Sequence, residues 1–220
     1  MSNFVLKIVA IISMLFDHSG YVIFNKFSNF NYIGRLAFPI FAFGIGQGYT
    51  HTKNLKKYFL RLFVFALISQ IPFQLFLVSI GSGFSLNIFF TLILGLFSIY
   101  LYDFFKDNKL LAFLSVIALG IISESLQCDY GWYGIAIIFI FYIFRNNKLL
   151  MNISFIICTL IKYLINLYSN FHIAYIYLFA FTCYSLFFIN SYNGKKGKDT
   201  KYILYLFYPI HLLLLYLINM

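Results

Sequence analysis

Asp17 and His18 stand side by side about two-thirds of the way along an apolar segment, residues 4 to 24, whose one other charge is Lys7. Ionisable groups inside a membrane span are costly, so they are functional candidates by default. Lys7 and His18 are eleven positions apart. In a helix that spacing returns to within about 20° of the same face and separates the two by roughly 16 Å along the axis. One face then carries a cation near one membrane surface and a titratable base near the other. A snorkelling lysine and a polar packing pair account for the same residues, so the company these groups keep decides between the readings.

That company is substantial. Arg35 lies in Gly34-Arg35-Leu36-Ala37-Phe38-Pro39, where a small glycine permits close helix approach and the proline frees backbone carbonyls for a buried donor. Ser69 and Gln70 precede Pro72, Asn87 opens a further apolar run with Thr91 one turn along, Glu124 ends another, and Asn31, Asp129 and Tyr130 fall between runs. Each alone reads as a helix-packing hydrogen bond. Together with Asp17, His18 and Arg35 they describe a polar cavity open to, or just beneath, one membrane surface.

The elements that must position them are membrane helices. Of the 220 residues, 62% are hydrophobic and 10% charged, mean hydropathy is +0.88, and apolar runs near eighteen residues recur along the whole chain, leaving no room for a soluble domain. Breaks of charge and turn residues delimit spans at 4–24, 33–50, 57–77, 86–103, 110–124, 131–144, 149–168, 172–190 and 202–219. The expected fold is thus all-α and polytopic, one domain over 1–220, a single bundle of about nine transmembrane helices with eight and ten as alternatives. Around residues 124 to 131 the chain either re-enters or loops across the surface. The first apolar core runs into Asp17-His18 without a small-residue cleavage site, so it is expected to be retained rather than removed as a signal peptide.

The formal charge is +10, and its distribution fixes an orientation. Lys53, Lys56, Lys57, Lys106, Lys109, Arg145, Lys148, Lys195, Lys196, Lys198 and Lys201 fall in alternate short connections, while Lys26 is almost the one cation in the others. That is the positive-inside pattern: amino terminus in the cytoplasm, Asp17-His18 in the outer half of the first span, the chain in the cytoplasmic membrane. Scattered around a rim, these cations do not form the contiguous patch that nucleic acid binding requires. Cys128, Cys158 and Cys183 lack metal-ligand spacing and read as packing residues; no metal site is expected.

Several stretches resemble the TraX family. They are Phe16-Asp17-His18-Ser19-Gly20-Tyr21, the block Ile33-Gly34-Arg35-Leu36-Ala37-Phe38-Pro39-Ile40-Phe41 leading to Gly48-Tyr49-Thr50-His51, Ala66-Leu67-Ile68-Ser69-Gln70-Ile71-Pro72-Phe73, Asn87-Ile88-Phe89-Phe90-Thr91, Asp129-Tyr130-Gly131 and Tyr208-Pro209-Ile210-His211. The resemblance implies a membrane acetyltransferase associated with amino-terminal acetylation of conjugative pilin. It also implies a relation to transmembrane acyltransferases that pass an acetyl group from cytoplasmic acetyl-CoA to an acceptor across the membrane. Those enzymes carry a basic residue, ten intervening residues and a catalytic histidine on their first helix, which Lys7 and His18 match with lysine for the more usual arginine.

On that reading His18 is the base, its ordinary pKa of about 6.5 suiting the task. Asp17 pairs with Arg35, and Glu124 or Asp129 orients the His18 ring, since Asp17 points about 100° away on the helix. Asn87 and Gln70 amides are the oxyanion donors. Lys7, Lys53, Lys56, Lys57 and Arg61 hold the nucleotide phosphates of acetyl-CoA. His211 lines the donor route or satisfies the Pro209 kink, His51 reads as a solvated helix end, and His172 has no assigned role. The partners are membrane lipid and an acyl acceptor, whether protein, peptide or glycan. A proton-coupled transporter or flippase is the alternative, though neither an inverted repeat nor midplane polar clustering supports it. A structural or assembly partner of a surface fibre is a third.

Overall fold

The computed structural model describes residues 1–24, 28–198 and 201–220; Lys26 of the charge pattern lies outside them. The described chain forms α1 (Asn3–Phe24), α2 (Asn29–Gly34), α3 (Ala37–His51), α4 (Leu55–Ser79), α5 (Ile88–Phe104), α6 (Lys109–Ser125), α7 (Gly131–Ile143), α8 (Lys148–Ser169), α9 (Ala174–Asn190) and α10 (Lys201–Asn219). Among the described residues the one β-type pairing is an isolated bridge between Leu86 and Cys128. Three helices, α1, α4 and α8, are long and apolar enough to cross a membrane, and α5, α7, α9 and most of α10 are shorter apolar helices. Exposed faces carry leucine and isoleucine, as at Leu110, Ile117 and Ile121 of α6 and Leu149, Ile157 and Ile161 of α8, where hydrocarbon rather than water is the matching solvent.

The helix predicted over 33–50 begins later, at Ala37, and the first two residues of that range end a separate short helix, α2 (Asn29–Gly34). Arg35 caps α2 in right-handed conformation, and α3 begins at Ala37. The reason is Pro39. It sits in the first turn of α3, where its missing N–H breaks no intrahelical bond, so it starts that helix and frees no carbonyl within it. The expectation of carbonyls released by Pro39 is corrected accordingly. Pro72 and Pro209 do lie inside helices.

The chain packs as two compact units. The first comprises Met1–Phe41, Pro72–Gly83 and Asn152–Met220, the second Ala42–Ile71 and Phe84–Met151. In the first, α1 packs against α2 and α10, and α2 meets α9. The amino terminus is stitched to the α9–α10 connection: the amides of Asn3 and Phe4 donate to the Lys195 and Lys196 carbonyls at 2.9 and 3.1 Å, and that of Asn193 to Met1 at 2.9 Å. Gly197, at φ +70°, leaves the space that Ser2 and Phe4 occupy. At the opposite end Asn219 Nδ2 donates to the Ser79 carbonyl at 2.7 Å. Hence α1 and α10 start at one end and run the same way, which brings their middle turns side by side.

In the second unit α5, α6 and α7 pack on one another around Val116, Leu119, Ile135 and Phe139. The approach of α5 to α7 depends on Gly95, where any Cβ would run into Ile138 Cδ1. Past α6 the chain turns sharply, with Gln127, Tyr130 and Gly131 at φ +53°, +69° and +47°. The turn is pinned by the Leu86 amide on the Gln127 carbonyl at 3.0 Å and the Asp129 amide on the Leu86 carbonyl at 2.8 Å.

Overpacking a closed contact of this kind costs roughly 1 to 3 kcal/mol. Gly95→Val is therefore expected to lower the melting temperature in detergent, and Ile138→Ala to lower it through a cavity. The double variant should be less destabilised than the sum of the two. Additive losses would show that Gly95 does not seat Ile138.

Candidate active site

Asp17 is the buried charge around which the first unit's polar cluster is built. Arg35 Nη2 lies 3.1 Å from its Oδ1 and 3.3 Å from its Oδ2, and the two side chains are only 13% and 22% exposed. Asn31, fully buried, completes the arrangement. Its Nδ2 donates to the Asp17 backbone carbonyl at 2.7 Å and to Oδ1 at 3.0 Å, while its own Oδ1 accepts from the Ser28 amide and hydroxyl at 2.7 and 3.1 Å. Arg35 Nε turns back to the Asn31 carbonyl at 3.3 Å. A paired, hydrogen-bonded carboxylate is what burial of charge demands. Glycines make the approach possible: a Cβ at Gly34 would overlap the Asp17 side chain, and one at Gly20 would stand 2.7 Å from Ser28 Oγ.

His18 is partly exposed and belongs to the same unit. Its Nδ1 lies 2.7 Å from His211 Nε2, and the rings are 15° from parallel with centroids 5.0 Å apart. At so short an N···N distance that is an edge-to-edge arrangement in nearly a common plane. Phe76 and Tyr208 flank the His18 ring at 5.1 and 6.3 Å. The Arg35 charge is close enough to act on it. No hydrogen bond reaches His18 Nε2 from the described residues. The ring expected to be oriented by Glu124 or Asp129 is held by His211 instead. His211, expected either to line the donor route or to satisfy the Pro209 kink, is 4% exposed, and its Nδ1 lies 2.8 Å from the Phe207 carbonyl in the turn before it.

The other candidates lie in the second unit. Gln70 Oε1 accepts from the Asn87 amide at 3.0 Å and from Asn87 Nδ2 at 2.8 Å, and Gln70 Nε2 donates to the Ser85 carbonyl at 2.9 Å. The second hydrogen of Asn87 Nδ2 goes to the Ala66 carbonyl at 2.8 Å, and Asn87 Oδ1 accepts from the Phe89 amide at 3.0 Å, capping α5. With both hydrogens engaged, Asn87 has none for an oxyanion; it braces α4 against the start of α5. Glu124 Oε2 accepts from the Trp132 amide at 3.0 Å, a carboxylate on the open N-terminus of α7. The Asp129 carbonyl takes the Thr91 hydroxyl. Tyr49 and Tyr142 hydroxyls both donate to Asp103 Oδ2, at 2.8 and 2.6 Å, a pairing that the sequence reading did not contain.

Among the cations, Lys7 is partly buried on α1 in the first unit, and Lys53, Lys56 and Lys57 are exposed in the second, where the Arg61 guanidinium lies 5.2 Å over the Tyr58 ring. His51 is exposed, its Nδ1 2.8 Å from the Gln47 carbonyl, and His172 Nδ1 accepts from the Ala174 amide at 3.1 Å. The three cysteines are free thiols. Burial pushes the Cys128 thiol above its ordinary value, which leaves little thiolate to act as a nucleophile. Sequence reasoning missed Asn31 as the hub and His211 as the ring's partner. The four-residue spacing of Asn31 and Arg35 was the available signal for the first; the second needs the register of α10 on α1.

The model of the family described as "TraX protein" matches residues 2–219. A relative from Dichelobacter nodosus, "Probable fimbrial assembly protein FimC, serogroup H1", is 26% identical over an alignment of 234 residues that covers 97% of this chain and 94% of the relative. No solved structure matches the chain.

Removing one member of a buried ion pair strands the other, commonly at about 3 to 5 kcal/mol. Asp17→Ala and Arg35→Ala are each expected to be less stable than the double variant carrying both. Thermal unfolding in detergent closes the double-mutant cycle, and additivity within about 0.5 kcal/mol would mean the two do not interact.

Proposed function

The chain belongs to the TraX family, and from that membership we propose that it is an integral membrane acetyltransferase that moves an acetyl group from cytoplasmic acetyl-CoA to an acceptor on the far side. The observation that carries the reading is the His18 ring: engaged at Nδ1, partly exposed, and with Nε2 left for an incoming group. In this reading nine helices cross the cytoplasmic membrane, with α2 as a short helix near the outer surface. The cationic ends, Lys53 to Lys57 and Lys195 to Lys198, lie in the cytoplasm.

The chemistry follows from what these side chains can do. His18 Nε2 accepts the proton of the acceptor's amine or hydroxyl as its lone pair attacks the thioester carbonyl. The tetrahedral intermediate collapses, its C–S bond breaks, and the coenzyme thiolate leaves with the proton that His18 returns. Arg35, fixed by Asp17 and Asn31, supplies positive charge beside the negative oxygen that develops. Lys7, roughly 16 Å down the same helix, is placed to meet the donor's phosphates. Lys53, Lys56, Lys57 and Arg61 draw an anionic donor to their helix end by their charge. The relative is named for fimbrial assembly, and in this reading the acceptor is a surface-fibre subunit.

Purified protein in detergent should bind acetyl-CoA saturably and release free coenzyme A when given a peptide with an unblocked amino terminus. His18→Ala should keep binding and lose release. Lys7→Ala should raise KM for acetyl-CoA more than it lowers kcat, as loss of uniform binding does, and Lys7→Arg should be tolerated. Absence of saturable acetyl-CoA binding by the native chain overturns the reading and leaves the transporter and the assembly partner as the alternatives. An unchanged KM in Lys7→Ala removes Lys7 from the donor site.

A further inference from the structure

We propose that His211 is the positioning residue of His18: a two-imidazole chain from the Phe207 carbonyl holds His18 in the tautomer that leaves Nε2 as the lone-pair nitrogen. The tautomer follows from hydrogen-bond capacities. A carbonyl oxygen has lone pairs and no hydrogen, so His211 Nδ1, 2.8 Å from the Phe207 carbonyl, carries the N–H. A neutral imidazole has one N–H, so His211 Nε2 is an acceptor. It faces His18 Nδ1 at 2.7 Å, and two lone pairs at that distance would repel. His18 Nδ1 therefore supplies the hydrogen, and its lone pair is at Nε2. The 15° angle between the rings suits this, because an imidazole lone pair lies in the ring plane.

The surroundings hold the second ring still. His211 is buried, the Phe207 ring lies face to face with it at 4.6 Å and 13°, and the Tyr208 ring meets it edge-on at 5.8 Å. When His18 gains a proton at Nε2 it becomes an imidazolium, and its Nδ1–H bond to His211 becomes charge-assisted and stronger. The chain thus selects the base form before transfer and steadies the acid form after it. A carboxylate commonly does this for a histidine; here the partner is a neutral ring on another helix. The catalytic consequence rests on the acetyltransferase reading. The tautomer does not.

The test uses the full chain in detergent with ¹⁵N-labelled histidine, the four histidines assigned by single substitutions. In the native protein His18 is expected to carry its hydrogen on Nδ1. His211→Phe keeps a buried flat ring but removes the acceptor, so His18 should change to the Nε2–H form. Release of coenzyme A should then fall on the order of 100-fold or more, with KM for acetyl-CoA within about twofold, as expected when a catalytic histidine loses its orienting partner. His211→Gln, whose amide oxygen can accept from His18 and whose amide nitrogen can donate to Phe207, should keep the native tautomer and most of the rate. A hydrogen on His18 Nε2 in the native protein, or an unchanged tautomer and kcat in His211→Phe, overturns the proposal. The native tautomer with its change in His211→Phe, alongside no coenzyme A release by the native chain, upholds the positioning of the ring and overturns the acetyltransferase reading.

Discussion

A carboxylate buried among apolar helices must find its positive charge and its hydrogen bonds within the protein, and the fold around Asp17 is arranged to meet that demand. Arg35 supplies the charge and Asn31 the amide, and both reach Asp17 because α2 folds back on α1 after a short connection. Gly20 and Gly34 leave room for that return. The ion pair therefore ties the short helix to the long one and sets the charge beside His18. It also explains why Arg35 stands between two helices: its guanidinium must reach back to α1 while α3 departs from Ala37.

The division of labour between the adjacent Asp17 and His18 follows from helix geometry. Neighbouring residues on a helix diverge by about 100°, so one faces α2 and the other α10. Asp17 is spent on structure, joining two elements, while His18 meets the histidine of a helix that runs alongside. The parallel course of α1 and α10, fixed by the stitched amino terminus at one end, determines which residue of α10 His18 meets.

Much of this was legible in the sequence because the patterns are physical. Charged and turn-rich breaks gave helix limits close to those observed, since apolar runs must form helices whose backbone groups pair within the segment. The Asp17–Arg35 pair was legible too, as opposite charges near the facing ends of consecutive runs. The split at Arg35–Leu36 was not, because the apolar run continues through it and the break follows from Pro39 starting a helix. Nor was the fate of Asn87 and Glu124. Both are polar residues near helix ends, and sequence does not distinguish a side chain that will cap its own helix, or the next one, from one aimed at a substrate. The His18–His211 contact joins residues 193 positions apart, and only the packing of α10 on α1 reveals it.

The central claim is acyl transfer across the membrane with His18 as the base. The most direct measurement uses proteoliposomes with radiolabelled acetyl-CoA on the side of the cationic helix ends and a peptide with a free amino terminus on the other. The account predicts label on the peptide with the native chain and none with His18→Ala reconstituted at the same density. Equal labelling by the two proteins, or none by the native chain, would contradict it.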